Sequence, residues 1–233
     1  MYYQIKGISL DIWKTILQSN PTFKPLQVKL FAEALEVKAD EQWIQIIKKA
    51  DQEADKQAEA SGSDVGFKER LEIIAKLAQI PLKHSEKDIE EIYTKMEKLF
   101  LIHLPFLLEK NLLDILASLK TKGLQLFLVS NTGFVRGATM RKALEQLGIS
   151  VYIDLALFSD EIGFAKPHPA IFGELCQKTT LQADEVLHIG DNLLADYTGA
   201  RDYGMQSLCY NPNNLYFANE IHQIDSLNTL LRL

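Results

Sequence analysis

Cysteine is nearly absent: Cys176 and Cys209 are the two in 233 residues. They are too few for a disulfide framework and too isolated for a zinc cluster, so both are expected as ordinary buried thiols in a reducing compartment. Long apolar runs are missing as well. LFLIHLPFLL at 99 to 108 is too short to span a bilayer, and the starting MYYQIKGISL lacks the apolar stretch of a signal peptide. A cytoplasmic protein without membrane contact is expected. Positive charge is not in excess either. With 25 Lys and Arg against 31 Asp and Glu, the net charge is −6, and no block of like charge resembles a binding tail. Nucleic acid is therefore a poor partner, and small-molecule chemistry or a protein partner fits better. What is abundant is apolar material: 47% of residues are hydrophobic, enough for a sizeable interior.

Glycine is scarce in one region only. Of 12 glycines, Gly7, Gly62 and Gly66 alone precede Gly123, so residues 16 to 105 hold few of the turns a sheet needs. This stretch is predicted to be helical. Trp43, Ile46, Ile47 and Ala50 follow helical spacing, as do Phe67, Leu71, Ile74 and Ala78, and then Ile89, Ile92, Met96 and Phe100. Ser85 with Asp88 resembles an N-cap pair. Asn20-Pro21 and Pro105 are plausible edges, since proline interrupts helices and restricts the residue before it.

From residue 111 short apolar runs alternate with helices. LQLFLV at 124 to 129, DLALF at 154 to 158, VLHI at 186 to 189 and SLCY at 207 to 210 read as buried strands of a parallel sheet. Helical stretches at 111 to 122, at 139 to 147 and from Pro169 supply the crossovers. GISLDI at 7 to 12 is expected to join the same sheet, with Ile8, Leu10 and Ile12 on one face and Ser9, Asp11 and Trp13 on the other. The fold class that follows is α/β. It has a three-layer core, 1–15 with 106–233, around a mainly parallel Rossmann-like sheet, and an α-helical cap at 16–105.

Ligands of such sheets bind at the carboxyl ends of the strands. The residues expected there are Asp11, Ser130 with Asn131, Lys166 in GFAKPHP, and Asp191 in GDNLLAD with Asp196 five positions on. For phosphate chemistry each has a task. Two carboxylates suit Mg²⁺, a hard cation that takes oxygen ligands, while Ser130 and Lys166 can bind phosphoryl oxygens and Asp11 can attack phosphorus. His188 within a strand is expected in the core, and His168 at a helix start on the surface. Lys14 and His103 are candidates for the gap between cap and core.

DIWKT at 11–15, VSN at 129–131, AKP at 165–167 and GDNLLAD at 190–196 occur in the order of four motifs of the haloacid dehalogenase superfamily, which the chain resembles over nearly its whole length. The resemblance implies that Asp11 is a nucleophile forming an aspartyl intermediate on a small phosphorylated substrate. It further implies that Mg²⁺ is held by Asp11, Asp191 and the main-chain carbonyl of Trp13, with Asp196 orienting Asp191 or Lys166. Trp13, Thr15, Asn131 and Arg136 are the expected substrate contacts, Arg136 because its glycine-flanked loop could meet an anion. The departure is Trp13. Phosphatases of this superfamily carry a second Asp there, as general acid and then base, and indole can be neither. Three readings stay open. One is a Mg²⁺-dependent phosphatase whose proton carrier comes from elsewhere. Another is a protein that binds a phosphorylated ligand without turning it over. The third is a metal-independent dehalogenase-like hydrolase, for which the insert shows no evident halide-binding arginine near its start.

Overall fold

The computed structural model describes residues 5–213 and 221–233. Strand β1 (Gly7–Leu10) leads through a tight loop to β2 (Leu17–Gln18), and four helices follow: α1 (Phe23–Ala34), α2 (Glu41–Ser61), α3 (Phe67–Ala78) and α4 (Glu86–Ile102). The chain returns through β3 (Phe106–Leu107) and then alternates helix and strand. These elements are α5 (Leu112–Thr121), β4 (Gln125–Ser130), α6 (Gly137–Gln146), β5 (Leu155–Phe158), α7 (Ser159–Ile162), α8 (Pro169–Thr179), β6 (Val186–Gly190), α9 (Gly199–Tyr203), β7 (Gln206–Tyr210) and β8 (Gln223–Ile224). A π-helical turn at Leu193–Thr198 joins β6 to α9.

Six strands form one sheet in the order β5-β4-β1-β6-β7-β8, and every pairing in it is parallel. Each strand expected after residue 111 is present within about a residue of its expected bounds. The first ends at Leu10, shorter than expected, although Asp11 still donates its N–H to the Ile189 carbonyl at 2.8 Å before the chain turns into the loop. Its polar face also differs from expectation. All of β1 is buried, Ser9 included, since the central strand of a parallel sheet is covered on both sides. Ser9 Oγ meets His188 Nδ1 at 2.9 Å, which satisfies both groups in the interior.

Packing follows from the two faces. Ile8, Leu10, Leu126, Leu128, Leu187 and Ile189 pack with Leu112, Ile115 and Leu116 of α5, Met140 and Leu144 of α6, and Leu227 and Leu230 near the C-terminus. The opposite face carries Phe127, Val129, Leu157 and Val186 against Ile171, Phe172 and Leu175 of α8 and Ala200 of α9.

The helices begin and end as their sequences require. Asp40 caps α2 by accepting from Trp43 N–H, and Gly62 ends it at φ 71°, in the left-handed region that glycine enters without strain. Ser85 and Asp88 form a reciprocal capping box on α4. The segments entering and leaving the four-helix stretch are tied side by side, Leu17 opposite Leu107 and Gln18 opposite Phe106 in an antiparallel pair. Phe134, in the loop after β4, reaches up among these helices, 5.2 Å from the Phe31 ring and 6.3 Å from Phe67. One continuous apolar cluster therefore runs from the sheet into the helical stretch.

Candidate active site

Four strand ends converge on Lys166. Its ammonium, almost fully buried, donates to Asp11 Oδ1 at 2.8 Å, to Asp196 Oδ1 at 2.6 Å and to the Val129 carbonyl at 2.6 Å. Asn131 clamps the same residue through its backbone, donating to the Lys166 carbonyl at 2.8 Å and accepting its N–H at 2.7 Å. A buried ammonium requires such compensation, because leaving any of its protons unpaired would cost several kcal/mol, roughly 3–5 for a broken buried pair. Asp196 is equally saturated. Besides Lys166 it accepts from His188 Nε2 at 3.2 Å and, through Oδ2, from Asn192 N–H at 3.0 Å. This folding-back of the π-helical turn explains Gly190: a Cβ there would lie 2.1 Å from the Asp196 carboxyl carbon.

Oxygens of Asp11, Asp191 and Asp196 approach within 4.8 Å of one another. Asp196 is taken up by three donors, so it positions Lys166 and the loop and does not offer itself as a cation ligand. Among the described residues Asp11 keeps Oδ2 without a partner, and the Trp13 carbonyl accepts no backbone hydrogen bond in its loop, where Ile16 and Leu17 N–H both go to Ile12 and Lys14 N–H goes to Leu17. Two carboxylates and a carbonyl make an all-oxygen donor set, and this fits Mg²⁺.

These groups open onto a cavity of about 560 Å³, lined by Asp11, Trp13, Asn131, Lys166 and Asp191. Further lining residues come from the helical stretch and were not legible in the sequence. They include Asp51, Asp55 and Glu59, at successive turns of α2 beside the buried row Ala50, Ala54, Ala58, together with Asp64 and Arg70. That four-residue repeat next to small residues was the available signal. Arg70 is 1% exposed and makes four hydrogen bonds, to the Val65 carbonyl, Asp51, Asp55 and the Thr132 carbonyl. Asp64 accepts from Thr132 and Ser159 hydroxyls at 3.0 and 2.5 Å.

Several expected contacts lie elsewhere. Arg136 does not line the cavity; its guanidinium is held by both oxygens of Glu90 and lies 3.8 Å from the Tyr93 ring centroid. Ser130 is buried behind the cavity surface, its hydroxyl on the Asn131 carbonyl at 3.3 Å. Thr15 is fully buried with an unpaired hydroxyl, and Asn131 spends its amide on Lys166. Lys14, by contrast, does line the cavity, with its side chain 82% exposed and its ammonium 3.9 Å from Asp191. His188 is in the core, His168 caps α8, and His103 meets Thr22 Oγ1 outside the cavity.

Burial, reinforced by the neighbouring Asp196 and Asp191, pushes the Asp11 carboxyl up to about 7 against the pull of Lys166. Burial and Asp196 likewise raise Asp191 to about 6. On Asp196 burial acts upward too, but Lys166 and His188 outweigh it and hold this carboxyl far below its ordinary range. For Asp11 and Asp191 the folded values exceed the unfolded ones, so the metal-free fold loses stability as pH rises from about 4 to about 7. A cation reverses this, since it must displace those protons. Thermal unfolding with Mg²⁺ and with EDTA should give a larger Mg²⁺-dependent rise at about pH 8 than at about pH 5.5, with affinity falling about tenfold per pH unit for each proton displaced. Equal rises at both would contradict a carboxylate site at Asp11 and Asp191.

Among the described residues no helix is long and apolar enough to cross a membrane. A human haloacid dehalogenase-like hydrolase domain-containing protein 3 is 37% identical over 94 residues, covering 40% of this chain and 36% of the relative. The ribulose-1,5-bisphosphate 5-phosphatase of Halopiger xanaduensis is 33% identical over 101 residues, 39% of this chain and 42% of its own. The matched region thus spans less than half of either relative. Among solved structures, YfnB of Bacillus subtilis, described as a candidate HAD-hydrolase bound to magnesium, superposes with a TM-score of 0.73 at 20% identity, over 99% of this chain and 98% of that one. The family pattern of haloacid dehalogenase-like hydrolases matches residues 5–204. An aspartate at the end of the central strand, a buried lysine and an acidic loop on one parallel sheet, within that matched span, place the chain in the haloacid dehalogenase-like hydrolase family.

Proposed function

We propose that this hydrolase is a Mg²⁺-dependent phosphatase of small phosphorylated metabolites, with residues 16–105 acting as a cap over a core of 1–15 and 106–233. The observation that carries the reading is the pairing of Asp11 with Lys166 at the floor of the cavity, with Oδ2 of Asp11 left unpartnered beside Asp191. Oδ2 attacks phosphorus and the leaving oxygen departs toward the cap. Lys166 fixes the attacking carboxylate through Oδ1, and its charge offsets that gathering on the phosphoryl oxygens. Asp11, Asp191 and the Trp13 carbonyl would hold Mg²⁺, which supplies further neutralisation of that charge. Asp196 and Asn131 keep Lys166 in place. Water then releases phosphate from Asp11. The relative named as a sugar-bisphosphate phosphatase supports a phosphate monoester of a small metabolite as substrate.

Hydrolysis of an aryl and an alkyl phosphate by the purified protein, with Mg²⁺ and with EDTA, tests the reading. Metal-dependent turnover is expected, faster for the aryl ester. The presence of Trp13 where resembling phosphatases carry an acid favours a second reading, a protein that holds a phosphorylated ligand. Silence on both esters with Mg²⁺ bound, and a phosphorylated Asp11 that persists, would select it.

A further inference from the structure

Nothing at Trp13 can hand a proton to a departing alkoxide. Its indole is half-buried and turned toward the helical stretch, edge-on to Phe100 of α4 at 6.3 Å. In an in-line displacement the leaving oxygen lies opposite the attacking one, so a proton donor must stand on the wall that faces Asp11. Four carboxylates of the helical stretch line the same cavity as Asp11: Asp51, Asp55, Glu59 and Asp64. Asp51 is paired with Arg70 at 2.8 Å and with Lys24 at 3.6 Å. Asp55 is bound to Arg70 at 2.8 Å, and its side chain is 60% exposed. Asp64 is held by two hydroxyls and by its own N–H to the Gly163 carbonyl. Glu59 differs from Asp51 and Asp55 in meeting no cation among the described residues, and from Asp64, whose Oδ1 is taken up by two hydroxyls, in that its Oε1 accepts a single hydrogen bond, from Asn192 Nδ2 at 2.6 Å, while its Oε2 has no partner among the described residues.

That one bond places it. Asn192 directly follows Asp191, and its side-chain oxygen is fixed by Leu194 and Ala195 N–H at 2.9 and 3.0 Å while its own N–H goes to Asp196. With Oδ1 held in the turn, Nδ2 reaches Glu59 on α2. The loop that carries the acidic motif thereby grips a carboxylate of the helical stretch.

We infer that Glu59 is the proton carrier of this site, in the role that Trp13 cannot fill; the inference rests on the phosphatase reading above. As Asp11 Oδ2 bonds to phosphorus and the bond from phosphorus to the ester oxygen breaks, the Glu59 carboxylic acid gives its proton to that oxygen, releasing an alcohol. The resulting Glu59 carboxylate then takes a proton from water. The water oxygen bonds to phosphorus, the bond to Asp11 breaks, and inorganic phosphate leaves with both side chains restored.

The test compares Glu59→Gln and Glu59→Ala with the parent on aryl and alkyl phosphates, and measures phosphorylated Asp11 after rapid quenching. Glutamine still accepts from Asn192 but carries no transferable proton. Glu59→Gln should lower kcat/KM for the alkyl ester about 10²- to 10⁴-fold, while the aryl ester, whose leaving group needs no proton, keeps its kcat/KM within about tenfold. Phosphorylated Asp11 should accumulate on the aryl ester, because the water lacks its base, and product should appear as a burst. Rescue of Glu59→Ala by Glu59→Gln on both esters, or equal losses on both without the intermediate, would mean that Glu59 only positions the loop, and would overturn the inference. Wild-type rates in Glu59→Gln would overturn it while leaving the phosphatase reading intact. A parent inactive on both esters would remove that reading and the role of Glu59 with it.

Discussion

Asp11→Asn is expected to cut turnover of aryl and alkyl phosphates roughly 10³-fold or more, as removal of a nucleophile does, without unfolding the protein. The amide oxygen can still accept from the Lys166 ammonium, which also keeps Asp196 and the Val129 carbonyl. The carboxylate being replaced is one that burial resists ionising. Metal-free Asp11→Asn should therefore be at least as stable as the parent near neutral pH, where the parent bears the strain of ionising it. Activity and thermal unfolding measured on the same preparation separate the two effects. A retained rate would refute Asp11 as the attacking group, and a lower melting temperature without metal would refute the electrostatic account of the site.

Asp196→Ala should act in the opposite sense, on stability first. It removes at one stroke an acceptor for Lys166, for His188 and for the Asn192 N–H, all in the interior. Breaking a buried ion pair by deleting one partner costs about 3–5 kcal/mol. At roughly 2–4 °C per kcal/mol for a chain of this size, the melting temperature should fall by roughly 6–20 °C. Denaturant titration of both proteins gives the same quantity independently. A loss under about 1 kcal/mol would show that Lys166 finds its compensation in Asp11 alone, and that the Asp196 contacts add little to the fold.

The sequence showed the sheet well because its strands are buried on both faces and read as unbroken apolar runs between glycines, as QLFLVS and VLHIG do. It showed Asp11 and Asp191 for a related reason: each directly follows a strand, where an acid interrupts an apolar run, while Lys166 and Asp196 stand farther along and were legible from AKP and GDNLLAD. What it hid is of two kinds. The pairs β2 with β3 and β7 with β8 are only two residues long, and such short ladders are defined by partners distant in the chain, not by local periodicity. The helical lining of the cavity was hidden because its charges lie on amphipathic helices, where a polar row reads as solvated surface. Arg70, a charge on such a helix, is 1% exposed. The error ran the other way for Arg136. A glycine-flanked loop after a strand suggested an anion site, yet Glu90 on α4, which no motif marks, claims the guanidinium.

The place of β1 in the sheet also bears on how the chain is made. Its neighbours are β4, in register at residues 125 to 128, and β6, at 186 to 189. A ribosome adding about 5–20 residues per second needs roughly 10–35 seconds after β1 to deliver its second neighbour. All four helices between β2 and β3 are synthesised before even the first arrives. The strand that ends beside Asp11 is thus translated before every other strand of the sheet and gains its second neighbour only after residue 186, and a pause in translation between residues 130 and 186 would hold one edge of it open to other chains.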